Sequence, residues 1–210
     1  MNVVVFGASG QTGRLLIERA VANGHVVTAF VRDPAHLNAS RDSVHVVQGD
    51  VLDSASVDRA VANQEAVLVA LGTAGRRRSP QVLPQGIRHI LDAMERHRVR
   101  RIIVLSAAGA LREPAGSLGG SLGLTLARTF LRGVYREHRA MLEELRTRDL
   151  DWIAVRPVVL TNGPQTGRYR VVTEGIPQGG YRVSRPDVAD FMIRQLTSDE
   201  FVRKLPAISG

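Results

Sequence analysis

Residues 3–20 read VVVFGASGQTGRLLIERA, and this stretch decides the fold. An apolar run, Val3 to Phe6, ends in a loop with glycines at Gly7, Gly10 and Gly13. An amphipathic segment follows without a gap. The run reads as a buried strand and the segment as a helix. A Gly-rich turn between the two lets backbone N–H groups approach a phosphate, and the helix N-terminus adds its positive dipole end. The spacing is GxxGxxG rather than the GxGxxG of the usual dinucleotide fingerprint. No Gly-Lys-Ser/Thr follows, which excludes a Walker-type loop.

The same alternation continues along the chain. Strands are expected over Asn2–Phe6, His25–Val31, Ser43–Gln48, Ala66–Leu71, Arg101–Leu105 and Trp152–Arg156. Helices are expected over Gln11–Ala22, Pro84–Arg96, Leu122–Arg148 and Asp187–Leu196, with Asn23-Gly24 stopping the first. Near-continuous β-branched runs separated by helices predict a doubly wound parallel sheet, a three-layer α/β/α Rossmann fold. The length of 210 residues predicts one domain over residues 1–210.

Composition narrows the function. Hydrophobic residues make up 44% and charged residues 23%, the balance of an ordinary globular protein. The chain has no cysteine, which excludes disulfides, thiolate metal sites and cysteine nucleophiles; no metal site is expected. The first strand begins almost at Met1, leaving no room for a signal peptide, and no apolar run approaches the ~20 residues of a membrane helix. A cytoplasmic protein is the expectation. The net charge is +8, yet Lys204 is the single lysine among 28 basic residues and aromatics are only 4%. An arginine skew without aromatic interleaving does not read as a nucleic-acid surface.

In a doubly wound sheet, ligands bind outside the carboxyl ends of the strands, so the residue after each strand matters. Arg32-Asp33 follows the second strand. Arg32 suits a ribose 2′-phosphate, whereas Asp33 could accept from a 2′-OH; the arginine favours NADP over NAD. Arg14, in the first helical turn, reads as solvated. After the third strand, Asp50 can accept from an adenine amine and Val51 can pack on the ring; alternatively Asp50 or Asp53 caps the next helix. Leu71, Gly72 and Thr73 follow the fourth strand, then Arg76, Arg77 and Arg78, a solvated run or a clamp for an anionic substrate. Arg96, Arg98, Arg100 and Arg101 lie at the opposite end of the sheet and read as solvated. Ser106 follows the fifth strand, near where a reacting ring would lie. Pro157, Val158, Val159 and Leu160 follow the sixth, apolar enough for one face of a nicotinamide.

Together these strand ends resemble the atypical short-chain dehydrogenase/reductase superfamily. The motifs are GASGQTG, VRDP, GDVLD, LGT, LSAAGA, LDWIAVRP, GPQTGRY and SRPDVADFMIRQL. Within it the chain is most similar to the biliverdin-IXβ reductase/flavin reductase branch, and more distantly to NmrA-like NADP sensors. The resemblance implies that Gly7, Ser9, Gly10, Gln11, Thr12 and Gly13 hold the pyrophosphate and adjoining ribose. It implies Arg32 at the 2′-phosphate and Asp50 and Val51 at adenine. Leu71, Gly72 and Thr73 would line the second ribose, with Ser106 and Pro157 to Leu160 around the ring. It also implies an NADPH-dependent reductase of a flat conjugated acceptor such as a flavin, tetrapyrrole or quinone, acting as a monomer on a small, possibly anionic substrate. An NADP-binding regulator and an isomerase or epimerase are the alternatives.

Several residues depart from the family. The Tyr-x-x-x-Lys pair of typical members is Tyr135 and Arg139 here. A single Ser106, followed by Ala107, stands where the branch has a Ser/Thr pair. Val158 replaces a histidine. His138 matches a branch histidine on the long helix but reads as a surface residue. The candidate catalytic residues are Ser106 and Tyr135.

Overall fold

The computed structural model describes residues 1–37, 44–72, 82–111 and 131–210. Strand β1 (Asn2–Phe6) leads into helix α1 (Gln11–Ala22), then β2 (Val26–Val31) and β3 (Val44–Gln48). Helix α2 (Ser54–Val61), β4 (Ala66–Val69), α3 (Val82–His97) and β5 (Arg101–Leu105) follow. The later elements are α4 (Arg132–Arg146), β6 (Asp151–Pro157), β7 (Val159–Thr161), β8 (Arg170–Val172), β9 (Arg182–Ser184), α5 (Arg185–Arg194) and β10 (Ala207–Ser209).

The alternation in VVVF sorts the core. Val3 and Val5 face one layer with Leu16 and Ile17 of α1 and Val188 and Met192 of α5. Val4 and Phe6 face the other with Ile87 and Leu91 of α3 and Met141 and Leu145 of α4. All these side chains are buried, and full burial of each contributes about 1.5–3 kcal/mol. The α/β/α layering follows directly, because a strand with two buried faces needs helices on both.

The main sheet runs β3-β2-β1-β4-β5-β6-β10-β8. Val4 of β1 pairs Thr28 of β2 on one side and Val67 of β4 on the other, both parallel. The chain therefore turns outward in opposite directions on the two sides of β1, which opens a crevice there. The doubly wound sheet is mostly parallel, with one antiparallel pairing at its edge. The edge strand β8 pairs antiparallel with β10, and β7 and β9 form a separate parallel pair. The expected Leu122–Arg148 helix is described from Arg132 onward, and its first part lies outside the described residues, as does Ser43.

Helix ends follow their caps. Asp53 accepts from the N–H groups of Ala55 and Ser56 and starts α2. Ser184 accepts from the Asp187 N–H and starts α5, so this helix begins two residues earlier than its apolar pattern suggests. Among the described residues, no helix is long and apolar enough to cross a membrane. The arginines before β5 are not simply solvated: Arg96 pairs with Asp58, Arg100 with Asp151 and Arg101 with Asp199.

Candidate functional site

Gly7 sits where β1 and β4 diverge, with φ +82°. A Cβ built there would lie 2.5 Å from the Ala70 carbonyl oxygen and 2.6 Å from its carbon. Only glycine allows both the left-handed backbone and this approach to β4. The Gly10 N–H donates to the Gly7 carbonyl at 3.0 Å. Gly10 is the N-cap of α1 and brings no side-chain cap. The first-turn N–H groups of α1 thus have no protein acceptor from a cap, the arrangement that favours an anion.

A cleft of about 270 Å³ opens beside this loop, lined by Gly7, Ser9, Phe30, Val31, Arg32, Asp50, Val51, Leu52, Leu71 and Val82. It gathers residues from the ends of four strands. Six of them (Gly7, Ser9, Arg32, Asp50, Val51 and Leu71) are candidates from the sequence. Gly10, Gln11, Thr12 and Gly13 stand in the adjoining loop and first turn of α1. Phe30, Val31, Leu52 and Val82 are lining residues that the sequence did not single out. Phe30 points to this face of β2 and packs on Phe6 with centroids 4.8 Å apart, a position that strand alternation could have assigned.

Two pairs of neighbouring side chains separate locally. Asp53 is the cap of α2, while Asp50 accepts from the Leu52 N–H at 3.0 Å and lines the cleft. After β2, Asp33 accepts from the Ala35 N–H at 2.9 Å and pairs with His36, while Arg32 lines the cleft. Arg14 is half-buried rather than freely solvated, and its guanidinium donates to the His36 carbonyl at 2.9 Å.

The far end of the site lies at β5 and β6. Ser106 is 4% exposed, and its Oγ has no hydrogen-bond partner among the described residues. Its own N–H is used, donating to Val155 at 2.7 Å. Such an orphaned hydroxyl is unfavourable unless a ligand group meets it. Tyr135, on α4, lies over the turn that follows: a Cβ built on Gly109 would be 2.6 Å from the Tyr135 hydroxyl. The Arg139 guanidinium donates to the Ala110 carbonyl through Nε at 3.3 Å and Nη2 at 3.2 Å. It fastens α4 to that turn instead of reaching toward a ribose as a lysine would.

His138 is corrected from the surface to the interior. It is 7% exposed, and burial pushes its imidazole down to about 4. Burial thus favours the neutral imidazole at pH 7, which is a poor proton donor. Pro157 ends β6 buried, and Val158 and Leu160 are half-buried. Val159 is 61% exposed and belongs to the β7–β9 pair. Gly72 is exposed beside the cleft wall. Thr73 and the Arg76–Arg78 run lie outside the described residues.

The groups present fit a dinucleotide. The loop and α1 offer N–H donors, Arg32 a cation, Asp50 a carboxylate, Val51 an apolar surface and Ser106 an unused hydroxyl. The comparisons agree. UPF0659 protein YMR090W of Saccharomyces cerevisiae is 30% identical over 207 residues, 93% of this chain and 87% of that protein. A Burkholderia pseudomallei protein described as exported has a TM-score of 0.84 and 26% identity over the full length of both chains. A short-chain dehydrogenase/reductase from Veillonella parvula, solved with NADP, has a TM-score of 0.78 and 23% identity, covering 100% of this chain and 94% of that one. ChuY, an anaerobilin reductase from Escherichia coli O157:H7, has a TM-score of 0.82 and 22% identity, covering 100% and 97%. The family model described as NAD(P)H-binding matches residues 7–199, and the chain belongs to that family.

Proposed function

We propose that the protein is an NADPH-dependent oxidoreductase that reduces a flat, conjugated acceptor of the flavin, tetrapyrrole or quinone kind. One observation supports this reading: a cleft lined by Gly7, Ser9, Arg32, Asp50 and Val51 opens at the sheet edge where, among the described residues, neither Arg139 nor His138 is set to protonate a product. Arg139 is held on the Ala110 carbonyl and His138 is buried and neutral. Reduced nicotinamide, when bound, supplies a hydride. The chain's residues bind and orient. The first turn of α1 would neutralise the pyrophosphate, and Arg32 would meet the 2′-phosphate. Ser106 Oγ would hold the ring end, and Pro157, Val158 and Leu160 would keep water from one side of it. An acceptor that spreads the incoming electron pair over a conjugated system can take its proton from water, so no protein acid is required. The relatives' names as anaerobilin reductase and short-chain dehydrogenase/reductase support this class. The family resemblance adds the expectation of a cytoplasmic monomer.

The test is a steady-state screen of NADPH oxidation against free flavins, quinones and linear tetrapyrroles. Turnover above background with at least one is expected. Tight NADPH binding with no oxidation by any acceptor would instead favour a non-catalytic NADP-binding regulator. Two substitutions sharpen the reading. Tyr135→Phe is expected to change kcat by less than about tenfold, below the ~10²-fold or more of a general acid. Arg32→Ala is expected to weaken NADPH by about tenfold or more while leaving NADH nearly unchanged, because one charge-assisted contact is lost. Fluorescence titration of both nucleotides reads it.

A further inference from the structure

The turn after β2 carries two competing answers to a ribose. Arg32 lines the cleft, and Asp33, next in sequence, is the carboxylate that a 2′-hydroxyl would want. The structure withdraws Asp33. Its Oδ1 accepts from the Ala35 N–H at 2.9 Å and its Oδ2 lies 3.1 Å from His36 Nδ1. Both contacts depend on residues 34–36 keeping their single 3-10 turn, in which the His36 N–H donates back to the Asp33 carbonyl at 3.2 Å.

Among the described residues, one side-chain hydrogen bond reaches the turn from outside. Arg14, in the first turn of α1, spans from the phosphate loop and donates from Nη2 to the His36 carbonyl at 2.9 Å. Its Nε is buried with no acceptor among the described residues. Burying that N–H is unfavourable, so the side chain is not lying there as an ordinary surface arginine. On the other side, Gln48 of β3 donates to the Arg32 carbonyl at 3.1 Å and fixes where Arg32 leaves the sheet.

We infer that Arg14 is a positioning residue for cofactor choice: by bracing the 34–36 turn it keeps Asp33 occupied with its own backbone and leaves Arg32 as the group that meets the 2′ position. The inference rests on the reading of the cleft as an NADPH site. Arg14 does not act as a further cation on the phosphate; it acts through the turn. Without it the turn loosens, Asp33 becomes available to a 2′-hydroxyl, and NADH gains what NADPH loses.

The test is a titration of NADPH and NADH against wild type, Arg14→Met, Asp33→Asn and the double variant, each checked by circular dichroism and a thermal melt. Wild type is expected to prefer NADPH. In Arg14→Met the preference is expected to fall about tenfold or more, with NADPH weaker and NADH tighter. In the Asp33→Asn background the same substitution should give no NADH gain, since the carboxylate it would release is gone. Arg14→Lys, a milder change that keeps the charge, should move the ratio in the same direction by less, and it serves if Arg14→Met does not fold.

Equal weakening of both nucleotides would make Arg14 merely structural and overturn the inference. Loss of NADPH alone, with NADH unmoved, would make it a direct phosphate contact and overturn it as well. An NADH gain that survives Asp33→Asn, or no change in the ratio, would also overturn it. A wild type with no NADPH preference would sink the cofactor reading itself, and that is seen before any substitution is made.

Discussion

Gly7→Ala is expected to abolish NADPH binding and to lower the melting temperature by roughly 6–12 °C, the shift that about 3 kcal/mol produces in a domain of this size. Two costs add. A left-handed backbone at φ +82° is unfavourable for any residue with a Cβ, by about 1–2 kcal/mol. The new methyl would also press on the Ala70 carbonyl at 2.5 Å and the Leu71 nitrogen at 2.9 Å. Those neighbours are backbone and cannot rotate away, so β1 and β4 must part, at a further cost of about 1–3 kcal/mol. The separation falls on the mouth of the crevice, where the loop must offer its N–H groups. Differential scanning calorimetry and a nucleotide titration on the same sample check both halves. A variant that melts and binds like wild type would overturn this reading of the loop.

Asp187→Ala is expected to cost about 1–3 kcal/mol, because it removes four hydrogen bonds at once and strands the buried Ser184 hydroxyl. Asp187 is 1% exposed. Its Oδ1 accepts from the N–H groups of Thr166 at 2.9 Å and Gly167 at 2.8 Å. Its Oδ2 accepts from the hydroxyls of Thr166 at 2.9 Å and Ser184 at 2.8 Å. One carboxylate thus pins the loop between β7 and β8 onto the start of α5. Burial alone would raise this carboxyl, but the Gly167 N–H, the Ser184 hydroxyl and Thr166 together hold it below the ordinary carboxylate value. The sign follows. A lowered carboxyl contributes stability that is fully present above its unfolded value and is lost as pH falls through its folded one. Wild type and Asp187→Ala should therefore differ most near neutral pH and converge in acid, below the usual range of a free aspartate. Urea unfolding at a series of pH values reads the convergence. A difference independent of pH would mean that packing, not the carboxylate, holds the loop.

The parts of the fold that were legible in the sequence are those written in long patterns. VVVF alternates between two core layers, and GASGQTG sits between a strand and a helix, so the crevice beside β1 could be located from residues 3–20. The short elements left no such trace. Strands β7, β8, β9 and β10 have three residues each, too few for a period to declare itself. They are strands because partners run beside them. Polar residues were the other blind spot. Asp187 read as a helix-start residue, which it is, yet its burial and its hold on Thr166 and Gly167 come from a loop about 20 residues away. His138 read as surface because its helix is rich in charge, while its own face packs inward with Met141, Leu142 and Leu145. The roles of Arg14 and Arg139 depend on carbonyls at His36 and Ala110, and a carbonyl has no letter in the sequence.

The position of β10 bears on how the chain is made. It is the last strand in chain order, yet it lies inside the main sheet, parallel to β6 and antiparallel to β8. During synthesis β1 to β6 can assemble as they emerge, but β6 must keep an open, apolar edge until Ala207–Ser209 has left the ribosome. Such an unpaired edge is where chains stick to one another. Truncation after α5 would leave the β6 edge without Ala207–Ser209, and such a chain is expected to aggregate more readily than one that carries this strand.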